Sequence, residues 1–188
     1  VLGSVVLIEA GLMLLPMAVG LIYREKVWYY FLLGAALCGA LGFGLSRIPL
    51  KRKNMYAKDG FVAVALSWVG ISLLGALPFT LSGEIPSYVD AVFEMVSGFT
   101  TTGSSILTDV EALSRCMLFW RSFSHWVGGM GILVFMLAIL PTMGGPAIHL
   151  LRAESPGPSV DKMVPKMRTS AEILYLIYLG MTALLVVL

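Results

Sequence analysis

The fold is decided by residues 87–104, SYVDAVFEMVSGFTTTGS, which contain a short helix followed by a hydroxyl-rich loop. Pro86 precedes the segment, and Ser87 with Asp90 three residues later has the spacing of a capping box, which predicts a helix start. A helix over residues 87–98 is about 18 Å long, whereas the hydrocarbon core of a bilayer is about 30 Å thick. Because longer apolar segments flank this helix, we expect it to enter the membrane and turn back.

The loop that follows consists of Thr100, Thr101, Thr102 and Gly103, and its composition suits a cation. The β-branched threonines favour extended backbone, and Gly103 permits a backbone angle that threonine avoids, so successive carbonyl oxygens can point the same way. Such oxygens replace the hydration shell of alkali cations in selectivity filters, and the helix aims its partially negative C-terminus at the same place. The alternative is a threonine-rich loop packed between helices without an ion, and the loop residues alone leave both interpretations open.

Composition places the chain in a membrane. Of its 188 residues 58% are hydrophobic and 13% are charged, and the mean hydropathy is +0.89. Soluble domains average about 25% charged residues. The apolar residues also occur in long blocks rather than in an amphipathic pattern, so we identify an integral membrane protein.

Residues able to carry chemistry are sparse. Cys38 and Cys116 form no motif and are expected to be buried thiols, and His125 and His149 are expected on opposite sides of the membrane, which leaves no metal site. The sequence contains no nucleophile–base set, phosphate loop or dinucleotide motif. We therefore expect neither an enzyme nor an organic cofactor.

Apolar blocks predict five membrane-spanning segments, at residues 1–23, 27–45, 60–79, 118–140 and 171–188. The very short connection at residues 24–26 makes the first two an antiparallel hairpin, and Pro78 with Ser82–Gly83 is expected to end the third. The chain has no initiator Met and its last segment ends in an apolar run, so we interpret it as a fragment of a longer protein.

Charge sets the predicted orientation. Residues 47–58 carry five basic side chains and no acid, and residues 151–168 also carry a basic excess, so both loops are predicted to be cytoplasmic. The third segment then runs outward, and the short helix dips into the membrane from outside.

Three polar residues of the predicted spans are candidates for a functional role. Glu9 lies near one end of its segment, where we expect it to reach the interface, and a structural role is favoured. Arg121 is expected near the outer mouth, either modulating cation entry or pairing with an acid, and the structural role is again favoured. His125 is expected to be a packing residue. The acids available to Arg121 are Asp90, Glu94 and Asp109.

The segments FTTTGSSILTDVEAL (99–113) and FWRSFSHWVGGMGILVFMLAILP (119–141), followed by LLRAESPGP (150–158), closely resemble the TrkH-type membrane subunits of the Trk/Ktr/HKT potassium transporters. The resemblance covers nearly the whole chain. It implies an all-α integral membrane protein with a helix–pore helix–filter loop–helix repeat, as in potassium channels, preceded by a two-helix hairpin. The implied divisions are a hairpin and basic loop at 1–59, a first pore repeat at 60–141, and a linker with the start of a second repeat at 142–188.

The resemblance also implies a function and partners. Thr100, Thr101, Thr102 and Gly103 become the first of four filter strands, which offer backbone carbonyls to transported potassium. The expected protein is a multi-pass potassium uptake protein of the inner or plasma membrane, in contact with lipid and not with nucleic acid. A homodimer and a cytosolic, nucleotide-binding, TrkA-like regulatory subunit that gates the pore are implied. The alternatives are a re-entrant-loop transporter for another ion such as sodium, and a non-conducting structural membrane subunit.

Overall fold

The computed structural model describes residues 2–47, 57–129, 131 and 164–188. Within these ranges the chain is helical and contains no strand, so the predicted all-α class is confirmed for the part described. The helices described are α1 (Leu2–Leu12), α2 (Leu14–Ile22), α3 (Trp28–Ser46), α4 (Ala57–Gly75), α5 (Leu77–Ser82), α6 (Tyr88–Phe99), α7 (Arg115–Gly129) and α8 (Val164–Val187).

Within the described ranges, three helical segments are long and apolar enough to cross a membrane, and they correspond to the first three predicted spans: Leu2–Ile22, Trp28–Ser46 and Val62–Ser82. Of the fourth predicted span, residues 130 and 132–140 lie outside the described residues. The helix of the fifth, α8, begins at Val164, seven residues before the predicted start, and its apolar part is the shorter stretch Glu172–Val187. Most of both basic loops also lies outside the described residues, so their cytoplasmic location stays a prediction.

The chain divides into two compact units. One consists of Val1–Leu50 and Ala65–Gly129, and the other of Lys51–Val64 and Met130–Leu188. The first unit contains the hairpin, the end of the third span, α6 and the described part of α7. All the residues of the candidate site belong to this first unit.

The N-terminal hairpin forms as predicted. The first span is divided at Met13 into α1 and α2, which both pack against α3, and the side chains of Met13, Phe31 and Cys38 between them are fully buried. Pro16, three residues after Met13, has no N–H to donate to the helix, and this accounts for the interruption. The chain reverses through the short connection after α2, where Arg24 has a φ of 56°.

The third span continues past Pro78, one of the residues predicted to end it. Pro78 lies in the first turn of α5, where proline is tolerated, and the helix runs on to Ser82 before Gly83 ends it with a φ of 80°. The predicted end at Ser82–Gly83 is therefore confirmed, whereas Pro78 does not end the span and only divides it into α4 and α5. Its position places the backbone of Gly75 at a junction between two helices.

The core of this unit is centred on Trp120 of α7, whose side chain is 1% exposed. Its indole N–H donates a hydrogen bond to the carbonyl of Gly75 at 2.9 Å. Edge-on ring contacts join it to Phe31 of the hairpin at 6.2 Å and to Phe99 of α6 at 6.4 Å between centroids. One aromatic side chain thus joins the hairpin, the third span and the short helix, because its ring buries a large apolar area and its single donor is satisfied.

Candidate functional site

The short helix α6 forms where the capping pattern predicts it. The Ser87 side chain accepts a hydrogen bond from the backbone N–H of Asp90 at 3.4 Å, and the helix contains twelve residues. One face of α6 is buried, including Ala91, Glu94 and Met95, while Phe93 on the other side is 44% exposed. At this length the helix cannot cross a bilayer by itself.

The end of α6 is a Schellman motif with threonine at the left-handed position. The N–H of Thr101 donates to the carbonyl of Gly98 at 2.9 Å, and the N–H of Thr102 donates to that of Ser97 at 3.0 Å. These two bonds require a positive φ, usually supplied by glycine, and Thr101 has a φ of 56°. The expectation of three extended threonines is therefore wrong, because satisfying the last carbonyls of the helix outweighs the β-branched preference.

Beyond this motif lie three backbone carbonyls without a hydrogen-bond donor in the described part of the chain, those of Thr101, Thr102 and Gly103. The carbonyls on either side are engaged: that of Thr100 accepts the Thr101 hydroxyl at 2.7 Å, and that of Ser104 accepts the Ser97 hydroxyl at 2.5 Å. Gly103 has a φ of 78°, as the sequence predicted of its backbone freedom. The loop therefore offers three exposed oxygens whose neighbours on both sides are held.

Glu94 connects this loop to α7, and its side chain is fully buried. Its Oε1 accepts hydrogen bonds from the Ser105 hydroxyl and from the N–H of Ile106, both at 2.6 Å. Its Oε2 accepts one from Nε of Arg121 at 2.9 Å. Of the three acids available to Arg121 the structure selects Glu94, and within the described ranges neither of the other two forms an ion pair.

Two further carboxylates cap the start of α7, and sequence reasoning missed both. Glu25, in the hairpin connection, accepts from the N–H groups of Arg115 at 2.7 Å and Cys116 at 3.0 Å. Glu84 accepts from the N–H of Ser114 at 2.9 Å. Burial acts to raise the pKa of Glu25, but these hydrogen bonds and the nearby Arg115 charge outweigh it and lower the pKa. Because Glu25 and Arg115 are about ninety residues apart along the chain, no local sequence pattern predicts their contact.

The helices α6 and α7 approach each other closely through small residues. A Cβ added at Gly98 would overlap the Ser124 side chain, and one added at Gly128 would overlap the carbonyl of Phe99. Gly128 thus allows the backbones of the two helices to approach closely. His125 is half-buried, and its Nδ1 lies 2.9 Å from the carbonyl of Arg121, as expected of a packing residue.

The remaining candidates are buried. Cys38 and Cys116 are free thiols in the interior, as predicted. Glu9 is 3% exposed and lies within the first span, so the expectation that it reaches the interface is wrong. Over the residues that the structure describes, no group of three or more His, Cys, Asp or Glu side chains is arranged to hold a metal ion.

Comparison with known proteins gives a consistent result. The sequence model of the TrkH family, described as a cation transport protein, matches residues 30–188. The chain is 39% identical over 186 residues to the Trk system potassium uptake protein TrkH of Escherichia coli K12, and 36% identical to that of Halomonas elongata. Both alignments cover 97% of this chain and 38% of the relative, so the chain spans well under half of these proteins.

A solved structure agrees. The fold is similar to the crystal structure of the potassium transporter TrkH from Vibrio parahaemolyticus, with a TM-score of 0.71 and 30% identity. The match covers 96% of this chain and 36% of that one. The resemblance seen in the sequence is thereby confirmed, and a transport family agrees with the prediction that the chain is not an enzyme.

Proposed function

Since the chain belongs to the TrkH family of cation transport proteins, we propose that the complete protein takes up potassium across the inner or plasma membrane. In this proposal residues 100–103 form one strand of the selectivity filter. The observation that supports it is that the carbonyls of Thr101, Thr102 and Gly103, directly beyond the C-terminus of a helix too short to cross the membrane, have no hydrogen-bond donor among the described residues.

The chemistry of this loop suits a partly dehydrated cation. Potassium leaves water readily only where several oxygens replace its hydration shell, and backbone carbonyls provide such oxygens without a fixed negative charge. The C-terminal end of α6 adds the partial negative charge of the helix dipole at the same place. A membrane potential favours cation entry by about 2.3 kcal/mol per charge per 100 mV, so uptake through a filter needs no further energy source.

The proposed architecture assigns one part of the pore to this chain. Residues 60–141 are the first of four pore repeats, residues 1–59 the preceding hairpin and basic loop, and residues 142–188 a linker with the start of the second repeat. One repeat supplies a quarter of a filter, so we do not expect this segment to conduct alone. The complete protein is proposed to form a homodimer gated by a cytosolic, nucleotide-binding, TrkA-like subunit.

The test compares two glycines that share a backbone conformation. Gly103 and Gly83 have φ values of 78° and 80°, and a Cβ at either would meet no atom within 4 Å, so a serine causes similar backbone strain at both. Rubidium and sodium uptake would be measured for full-length Gly103→Ser, Gly83→Ser and wild type in cells lacking their own potassium uptake, at matched membrane levels. We expect Gly103→Ser alone to lose rubidium uptake or its preference over sodium.

Other outcomes favour the alternatives. If the two variants behave equally and uptake is preserved, the protein is a transporter but residues 100–103 are not part of its filter. A wild type that prefers sodium would favour a transporter for another cation. A wild type without uptake, with or without its regulatory subunit, would favour a non-conducting structural subunit.

A further inference from the structure

Glu9 of α1 is a carboxyl group enclosed by the protein, with no polar partner in the described part of the chain. Its side chain is 3% exposed, and among the residues that the structure describes neither carboxyl oxygen has a hydrogen-bond partner. Thr80 Oγ1 is the other buried side-chain oxygen in this condition among the described residues. By contrast Glu94, which is equally buried, accepts three hydrogen bonds. A buried carboxyl without partners is uncommon and needs a physical explanation.

The surroundings of Glu9 are apolar. A Cβ added to Gly75 would lie 3.1 Å from Oε1 of Glu9, 2.8 Å from Cε of Met95 and 3.4 Å from Cε2 of Phe99. These three side chains therefore meet beside Gly75. The carbonyl of Gly75 already accepts a hydrogen bond from the Trp120 indole N–H. Glu9 therefore lies at the junction of α4 and α5, beside the last turns of α6.

Among the described residues, the titratable groups around Glu9 offer no positive charge. On α3 the group that faces it is the Cys38 thiol, which is itself buried. Residues 65–82, which include the end of α4 and all of α5, contain no titratable side chain. On α6 the nearest acid is Glu94, which is paired with Arg121. No described basic side chain forms an ion pair with Glu9.

We propose that Glu9 is a proton-binding site and that its carboxyl group carries a proton at neutral pH. A carboxylate enclosed by thioether, ring and backbone carbon loses its hydration and gains nothing in return, whereas the neutral acid avoids most of that cost. A monovalent cation would need several oxygens around it, and the Glu9 environment does not provide them. The neutral acid allows the Glu9 side chain to lie directly against Gly75 at the α4–α5 junction.

Proton occupancy of Glu9 is thereby linked to the position of α6. The side chains of Met95, Phe99 and Glu9 all lie within 3.4 Å of the position that a Cβ on Gly75 would occupy. Phe99 is also the last residue of α6 before the loop at residues 100–103. Removing the proton would place a negative charge against these side chains and would separate α1 from the junction. This inference does not depend on the ion that the protein transports.

Infrared difference spectroscopy on the purified full-length protein tests the proposal directly. At neutral pH we expect the C=O stretching band of a protonated carboxylic acid in the wild type, its loss in Glu9→Gln, and its retention in Glu25→Gln. Glu25 is the matched control because its hydrogen-bonded carboxyl is ionised at that pH. Loss of a carboxylate band rather than an acid band in Glu9→Gln would overturn the proposal, as would a wild type with no acid band.

Membrane insertion gives a second readout. Glutamine is the neutral isostere of a protonated glutamate, so we expect Glu9→Gln to reach the wild-type level in the membrane and to melt at the wild-type temperature. If Glu9→Gln is poorly inserted while Glu9→Asp is normal, the site needs a negative charge and the proposal is wrong. If both variants are poorly inserted, the infrared spectrum of the wild type decides: an acid band supports the proposal, and its absence overturns it.

Discussion

Arg121 donates from Nε to Oε2 of Glu94 at 2.9 Å, while Oε1 of the same carboxylate holds the backbone of Ile106, three residues beyond Gly103. One buried carboxylate thus joins the short helix, the segment after the proposed filter strand and helix α7. The Schellman motif at Thr101 holds the strand at its other end. The carbonyls of Thr101, Thr102 and Gly103 therefore belong to a segment that hydrogen bonds hold at both ends.

Breaking this ion pair is expected to damage stability and selectivity together. Glu94→Gln removes the charge that compensates Arg121, and loss of one partner of a buried pair costs about 3 kcal/mol. We expect a lower melting temperature of the full-length protein in detergent and a weaker preference for rubidium over sodium. Asp90→Asn, one turn earlier on α6, removes a charge that forms no ion pair among the described residues and should have little effect. Equal effects of the two variants would argue against a positioning role for Glu94.

Replacing Thr101 by glycine should relieve backbone strain. A left-handed conformation costs a non-glycine residue about 1–2 kcal/mol, part of which is offset by the greater freedom of glycine in the unfolded chain. We therefore expect Thr101→Gly to be neutral or to stabilise the protein by about 1 kcal/mol in thermal unfolding. Thr102 does not have a positive φ, so Thr102→Gly should destabilise it. If Thr101→Gly destabilises the protein, the left-handed backbone at Thr101 is not a source of strain.

Close packing of α6 against α7 predicts an effect of Gly98→Ala. Alanine is the better helix former, but its Cβ would overlap Ser124, and overpacking typically costs about 1–3 kcal/mol. Gly70 of α4 is the control, because a Cβ there meets nothing within 4 Å and Gly70→Ala should be neutral or stabilising. Thermal unfolding of both full-length variants gives the comparison. Adding Ser124→Ala to Gly98→Ala should recover part of the loss, and no recovery would contradict the proposed clash.

Acid is expected to weaken the contact between the hairpin and α7. The pKa of Glu25 is lower in the folded protein than its ordinary value, so its contribution is present above the ordinary pKa and is lost as the pH falls through the folded pKa. Melting temperatures measured from neutral pH to well below the ordinary glutamate pKa of about 4.3 should therefore differ by a constant amount in the neutral part of the range and converge for wild type and Glu25→Gln only as the pH falls towards the folded pKa. A constant difference between them across this range would show that the Glu25 charge is not involved.

Local rules account for most of the helices. The apolar blocks locate the first three spans, and Ser87 with Asp90 identifies the start of α6 within one residue, because capping and burial in lipid depend on neighbours along the chain. The same rules fail where local preferences compete. Threonine favours extended backbone, yet Thr101 is left-handed, because two hydrogen bonds to the helix end require it.

By itself the sequence determined that this is a helical membrane protein of a cation transport family, with a short helix leading into a threonine–glycine loop. Only the tertiary structure decided which acid pairs with Arg121, that Glu25 caps α7, and that Glu9 is buried with no hydrogen-bond partner among the described residues. Spacing along the chain reports which residues share a helix face. Pairing between distant charges depends on which helices meet. The packing around Trp120, and the close contacts of α6 with α7 at Gly98 and Gly128, determine which helices those are.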